Sequence, residues 1–420
     1  MSGALMLKKI SVDELRLGMH LHELGGKWVD HPFWKAKFVL RDASELAQLR
    51  DSGVRECWID VSKGLDVAAA PVLPAAAIQT SAPLPTPASA PKPVTAIVLA
   101  DELGRAAALV SRSRAQVTSM FREASRGRAP HVEACMPLVA DIAASVWRNP
   151  GALISLTRLK THDDYSYLHS VAVCALMVAL SRQLGQDEAQ AREAGLAGLL
   201  HDMGKALMPQ DVLNKPGKLT AAEYDVIKTH PLRGHELLKG GAATPLVSLD
   251  VCLHHHERPD GAGYPFGLSG DALSLAARMG AVCDVYDAVT SNRPYKTGWD
   301  PAESIAAMTG WAKLGQFDLM VFAAFVKSMG AYPVGALVRM RSGRLAVVVE
   351  QSSTQVLKPW VKVFYSTKAQ MPVPPELLDT SDARCSDHIV ARESNATWKF
   401  PQLDELWAGR EVLVASTSLR

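Results

Sequence analysis

Through the middle of the chain apolar residues recur every three or four positions. Leu103, Ala107, Leu109, Val110, Val117, Met120 and Phe121, then Val132, Met136, Val139 and Ile142, give residues 101–160 the spacing of amphipathic helices. The pattern continues from 161 to about 330. Asp163-Asp164 offers a cap to a helix whose Val173, Leu176, Met177 and Leu180 share a face with His169, residues 189–203 form a helix that stops at Gly204, and Thr220-Ala-Ala-Glu223 is a capping box. No run between 99 and 330 alternates as a strand does, so the spacing predicts an all-α domain there.

The flanks read differently. Within residues 1–66, a strand and turn over Lys8–Met19, a capped short helix over Asp42–Arg50 and an alternating strand over Val54–Asp60 predict a small α/β domain. Trp28, Phe33 and Phe38 predict a small aromatic core within it. Residues 67–98 are rich in Ala, Pro, Ser and Thr, which cannot bury a core and favour polyproline geometry, so they read as a semi-stiff linker. In residues 331–420, Ala336–Met340, Leu345–Glu350 and Trp360–Tyr365 predict three strands of a β extension. Beyond Met371 the pattern fades to loops, with a last strand near Glu411–Val414. The predicted fold is mainly α, with a small α/β N-terminal domain and a small β C-terminal extension.

Composition narrows the functional classes. With 420 residues, 48% hydrophobic and 21% charged, the chain has room for two or three folded domains. A formal net charge of +2 excludes a broad face for a nucleic-acid polymer, so a phosphate ligand has to be small and held locally. Arg112, Arg114, Arg122, Arg126 and Arg128 along the first long helix read as a solvated face. The six cysteines are widely spaced without a Cys-x-x-Cys pair and read as buried apolar residues in a reducing compartment. Met1–Ile10 has no apolar leader core, and the longest apolar runs are about half a membrane span. A cytoplasmic protein without a membrane span is expected.

The candidate chemistry sits on the helices of residues 99–330. His201-Asp202 is followed by Gly204 and Lys205; Asp202 can bridge two divalent cations, His201 can bind one, and Lys205 lies within one turn as a point charge for a phosphoryl oxygen. His169, His230, the run His254-His255-His256-Glu257 and Asp284 supply further donors. Asp284 lies in a largely apolar helix, where an unpaired carboxylate would be costly to bury and a cation is the simplest partner. Imidazole with carboxylate suits Fe, Mn, Zn or Co, and a shared carboxylate sets two cations ~3.5–4 Å apart, close enough to clamp an in-line displacement at phosphorus. Glycines 261 and 263 in the loop from Glu257 to Pro265 would let backbone approach a ligand, and Tyr264 offers a ring to a base. Arg293 and Lys296 add two cations for a second phosphate.

Together these motifs resemble the HD-GYP family, bacterial metal-dependent phosphodiesterases of cyclic dinucleotides, whose name matches His201-Asp202 and Gly263-Tyr264-Pro265. The resemblance covers about residues 100–330, including His-Asp-x-Gly-Lys205, the segment Leu213–Leu219, His-His-Glu257 and the run ending Arg293-Pro-Tyr-Lys296. Residues 1–66 are similar to a domain of unknown function that often precedes this family's catalytic domain. The resemblance implies that His169, His201, Asp202 and Asp284 hold one metal and that Asp202, His230, His255 and His256 hold a second. It implies iron or manganese foremost, with zinc, cobalt or nickel as other candidates. Asp202 and Lys205 would be catalytic, with Lys205 on the scissile phosphate, Arg293 and Lys296 on the other phosphate, and the Tyr264 loop shaping a base pocket or a partner surface. The implied reaction is hydrolysis of cyclic di-GMP to pGpG, and onward to GMP, by a metal-activated hydroxide. Cyclic GMP-AMP is the alternative substrate, and a catalytically weak cyclic-dinucleotide receptor or scaffold the alternative role. A signalling partner at the Gly-Tyr-Pro loop or the N-terminal domain, and a homodimer, fit the same resemblance. Tyr165 stands where some members carry a glutamate for a third metal, so two are expected; Ala172 and Pro259 replace a usual asparagine and tryptophan.

Overall fold

Six described helices of the larger unit begin at a side chain that satisfies free backbone N–H groups. The computed structural model describes residues 7–24, 38–40, 46, 49–50, 55–65, 97–159, 165–215, 217–241, 243–291, 298–352 and 355–417. They fall in two compact units, 1–92 and 93–420. The larger unit runs α1 (Leu99–Ser125), α2 (Val132–Arg148), α3 (Pro150–Arg158), α4 (Tyr165–Gln183), α5 (Glu188–Leu200), α6 (Gln210–Leu213), α7 (Ala221–Ile227), α8 (His230–Lys239), α9 (Leu246–His254), α10 (Leu275–Thr290), α11 (Pro301–Lys313) and α12 (Leu319–Met329). Asn149, Asp187, Thr220, Ser274, Asp300 and Asp318 cap α3, α5, α7, α10, α11 and α12 through their side chains, and Asp187 and Thr220 do so within capping boxes.

The centre of this unit is α4. It is buried on every side from Leu168 to Ser181 and packs against α1, α2, α3, α5, α10 and α12. His169 therefore enters the interior directly. The sequence reading runs the next helix to residue 203, but α5 ends at Leu200. Asp202 leaves helical geometry (φ −102°, ψ 13°), and Met203–Leu207 is a 3₁₀ turn lying against α8. His230, which could have ended a helix, opens α8 instead, because Pro231 fits a first turn where its missing N–H leaves no bond unmade. Asp163-Asp164 lie outside the described residues. Among the described residues, 99–330 contains no strand beyond the isolated bridge Asp260–Ser269.

After α12 come β5 (Leu337–Met340), β6 (Arg344–Glu350), β7 (Trp360–Ser366), β8 (Met371–Asp379) and β9 (Ile389–Glu393), an antiparallel sheet in the order β8-β7-β6-β5-β9. The loops expected beyond Met371 are thus corrected to two strands. Both are edges: β8 carries three prolines, which an edge tolerates, and neither strand buries an apolar face that a pattern would reveal. The strand expected at Glu411–Val414 is instead part of a helix, Arg410–Thr417, packed on α1. The sheet shares its core with Ala302 of α11, and Asp300 accepts a hydrogen bond from Leu337 N at 3.2 Å.

The smaller unit holds the antiparallel sheet β1-β4-β2-β3, made of β1 (Leu7–Ser11), β2 (His20–Leu24), β3 (Phe38–Val39) and β4 (Glu56–Asp60). Its described core is aliphatic, with Ile10, Leu15, Met19, Leu21, Leu40 and Ile59 at its centre. Trp28, Phe33 and the Phe38 side chain, proposed as an aromatic core, and most of the linker, residues 66–96, lie outside the described residues. The fold is mainly α with two small sheets.

One close approach holds the centre together. A Cβ added at Gly204 would lie 1.9 Å from the His230 carbonyl oxygen and 2.6 Å from Gly234 N. Gly204→Ala is expected to destabilise the protein by about 1–3 kcal/mol, seen as a lower Tm. Gly104→Ala, in open space on α1, should be stabilising by about 0.5–1 kcal/mol; equal Tm values would refute the packing argument.

Candidate metal centre

Where a helix ends, its last carbonyls lack intrahelical partners, and three histidines use them. His201 Nδ1 donates to Gly198 O at 2.7 Å, His230 Nδ1 to Ile227 O at 2.8 Å, and His255 Nδ1 to Val251 O at 3.0 Å and Cys252 O at 3.1 Å. A carbonyl can only accept, so each Nδ1 carries a proton and Nε2 is left to face inward. His169 sits near the start of α4 and takes a carboxylate instead, Nδ1 donating to Asp287 Oδ2 at 2.6 Å. All four Nε2 atoms converge. His169 and His201 approach to 3.2 Å, and His230 and His255 to 3.3 Å.

The donors form two groups, His169, His201, Asp202 and Asp284 in one and His230, His255 and His256 in the other, with the ligand atoms of each group all within 4.8 Å of one another. Asp202 stands between them. Its Oδ2 is 3.2 Å from His169 Nε2 and 3.4 Å from His201 Nε2, and its Oδ1 is 3.2 Å from His230 Nε2 and 3.7 Å from His255 Nε2. Asp284 approaches His169 Nε2 at 3.1 Å through Oδ1 and His256 Nδ1 at 3.7 Å through Oδ2.

Asp202 is 2% exposed, and its Oδ1 receives no hydrogen bond among the described residues. With His230 and His255 protonated at Nδ1, that oxygen faces acceptor lone pairs. A buried acceptor surrounded by acceptors fits a cation and little else. Hard carboxylate and borderline imidazole donors suit divalent first-row metals.

Electrostatics keep most of the donors deprotonated. Burial opposes ionisation of Asp202, yet Lys205 and His201 hold its carboxyl well below the usual range. Asp284 is likewise held well below, its burial outweighed by His169 and His201. Burial pushes His255 down to about 4 and, with His255 beside it, His256 well below the ordinary imidazole value. For His201 burial acts downward, but the Asp202 carboxylate prevails and the net shift is upward. Lys205 Nζ lies 2.5 Å from Asp202 Oδ2, its side chain 31% exposed, at the boundary between the buried donors and solvent.

Tyr264 stacks on His256 with ring centroids 4.6 Å apart at 26°, and its N–H donates to His256 O at 3.1 Å. Arg293 and Lys296 lie outside the described residues, as does the side chain of Tyr165 at the head of α4. Ala172 is buried in α4, and Pro259 O accepts from Gly270 N at 3.1 Å.

Two carboxylates escaped the sequence reading. Asp287 orients His169, and its one signal was its position three residues after Asp284 on α10, which puts it on the same face. Buried Glu257 accepts from Phe266 N at 2.6 Å and Leu268 N at 3.0 Å, tying the glycine loop down. The loop also passes so close that a Cβ on Gly263 would lie 2.4 Å from Arg258 N.

Comparison with known proteins agrees with this geometry. Residues 137–321 match the HD domain family and residues 7–135 a domain of unknown function, DUF3391. The chain is 52% identical over 411 residues to a Pseudomonas aeruginosa protein named cyclic di-GMP phosphodiesterase PA4108, covering 96% of each. The chain belongs to the HD-GYP family. It is a metal-dependent phosphodiesterase, a hydrolase. This HD-GYP protein is also 46% identical to the Xanthomonas campestris cyclic di-GMP phosphodiesterase response regulator RpfG over 36% of this chain and 42% of that one. Its identity to the Vibrio cholerae 3'3'-cGAMP-specific phosphodiesterase 1 is 33%, over 43% of this chain and 42% of that one. No described helix is long and apolar enough to cross a membrane.

Asp287→Asn removes the charge behind His169 and is expected to weaken metal binding about 10–100-fold, read by competition with a chelator; unchanged affinity would remove Asp287 from the site. A metal must also displace the proton that the raised pKa keeps on His201. Affinity for Mn²⁺ is therefore expected to rise as the pH climbs above the ordinary imidazole value of 6.5, with proton release seen by calorimetry in buffers of different ionisation enthalpy. A flat affinity without proton release would contradict the His201 shift.

Proposed function

We propose that this enzyme hydrolyses cyclic di-GMP to linear pGpG, and onward to GMP, at a centre of two divalent metals bridged by Asp202. The single observation that carries the reading is the Asp202 carboxylate, one oxygen facing His169 and His201 and the other facing His230 and His255. His169, His201 and Asp284 would complete one ligand set and His230, His255 and His256 the other, with iron or manganese the favoured ions. When bound, such a pair supplies Lewis acidity toward phosphate oxygens and acidifies a bound water.

The chain's own residues do the remaining work. Asp202 and Asp284 stay ionised and the imidazoles of His255 and His256 stay neutral, so these donors are ready without prior proton loss. Lys205, held at Asp202 and partly exposed, would meet an oxygen of the scissile phosphate. Tyr264, fixed over His256, would contact the substrate beside the metals, and Arg293 and Lys296 would hold its second phosphate. Glu257 positions the Tyr264 loop and spends its charge on two backbone N–H groups. We assign residues 1–66 to an accessory domain, 67–98 to a linker, 99–330 to the catalytic domain and 331–420 to an extension, in a protein acting in the cytoplasm.

The substrate assignment is supported by the identity to PA4108 across nearly the whole chain. Cyclic GMP-AMP is the second reading, favoured by the shorter likeness to the Vibrio cholerae enzyme. Purified protein loaded with iron or manganese is expected to carry two metals per chain and to convert cyclic di-GMP faster than 3'3'-cGAMP. Asp202→Ala should lose both ions and all turnover, and a variant keeping two ions and full activity would remove the bridge. Tight binding of cyclic di-GMP by the loaded wild type without hydrolysis would favour the receptor role.

A further inference from the structure

A cavity of about 280 Å³ opens beside the histidines, with His255 and His256 in its wall. It is at the small end of the ~300–1,000 Å³ range of ligand pockets, room for one ring system and not for a whole dinucleotide. Much of its remaining lining is aromatic: Tyr264, Trp311, Phe317 and Tyr224. Among the described residues, the Tyr264 hydroxyl, the Trp311 indole N–H and the Gln316 amide have no hydrogen-bond partner. Such groups in a half-buried wall are usually satisfied by protein, water or ligand.

Trp311 and Gln316 are brought together by the end of α11. Gly315, at φ 83°, closes that helix in a Schellman motif, with Gln316 N–H donating to Trp311 O at 3.1 Å and Gly315 N–H to Ala312 O at 3.0 Å. Buried Phe317 anchors the chain just beyond. One rigid turn thus presents an indole and a carboxamide to the same space, a flat apolar surface beside a group that donates and accepts. Planar heterocycles with polar edges suit that pairing.

We infer that this cavity receives one nucleobase of the substrate, stacked on Trp311 with its edge hydrogen-bonded to the Gln316 amide. The inference rests on the cyclic-dinucleotide reading above. Neither residue approaches the scissile bond in this arrangement; both act on affinity and on base recognition.

The test uses the full-length, metal-loaded enzyme and two substrates, cyclic di-GMP and methyl p-nitrophenyl phosphate, a diester without a base. In Trp311→Ala, kcat/KM for cyclic di-GMP relative to the base-free diester is expected to fall about tenfold or more through KM, with metal content unchanged. Trp311→Phe should retain most of the ratio, and Gln316→Ala should lower it about fivefold or more. Independently of turnover, GMP should quench tryptophan fluorescence in the wild type and not in Trp311→Phe. If Trp311→Ala fails to fold, Gln316→Ala and the quenching decide. Equal losses on both substrates, or an unmoved ratio, overturn the inference. A wild type that cleaves the base-free diester but neither cyclic dinucleotide instead sinks the reading on which it rests.

Discussion

The structure depends on a carboxylate placed where burial alone would forbid it. Asp202 lies among imidazole nitrogens whose protons are committed on the far side of each ring, so one of its oxygens has acceptors for neighbours. In an interior of low dielectric such a cluster repels itself unless a cation is bound, and Lys205 can answer only one oxygen. The fold around it tolerates little adjustment: Gly204 and Gly234 are in backbone contact, and α4 is enclosed by six other helices. Rigidity of that kind is what a metal centre requires, since its ligands must hold their geometry in spite of mutual repulsion.

The means of holding them is economical in sequence terms. His201, His230 and His255 each sit where a helix has just ended and bond back to its last carbonyls, so a single local interaction fixes both ring orientation and tautomer. His169 begins from the other end of a helix, where the available groups are N–H donors, and it needs Asp287 from a different helix. The cluster is thus built from three local devices and one long-range one. The long-range device couples α4 to α10, the same two helices that contribute His169 and Asp284.

This difference explains what could be read from the chain. His201-Asp202, His255-His256 and the Gly-Tyr-Pro turn are contiguous, so each stands in the sequence as a local motif. Asp287, Glu257, Trp311 and Gln316 have roles only through contacts nine or more residues away or through a loop geometry, and each is locally indistinguishable from a residue with none. The same reason accounts for the strands beyond Met371: as sheet edges they bury no alternating face, and prolines in β8 mask the extended conformation. At Glu411–Val414 local β-branched character pointed to a strand, but packing on α1 prevails and makes a helix.

Attraction for an anionic substrate cannot come from the protein as a whole, whose formal charge is only +2. It has to arise at the centre, where divalent metal held by these donors would offset the buried anions Asp202 and Asp284. Lys205 adds one more positive group at the rim, while nearby Glu257 and Asp260 are withdrawn, the first onto loop N–H groups and the second onto Arg258. Glu257 and Asp260 are therefore each matched locally and add no unpaired negative charge beside the donors. Beside the donors, the aromatic cavity at Trp311 is walled largely by rings, and the two charged side chains in its lining, Glu257 and Arg258, are committed to loop N–H groups and to Asp260. A ligand that fills both must carry compact negative charge next to a flat neutral ring, a combination that inorganic phosphate and simple alkyl diesters lack and a nucleotide has.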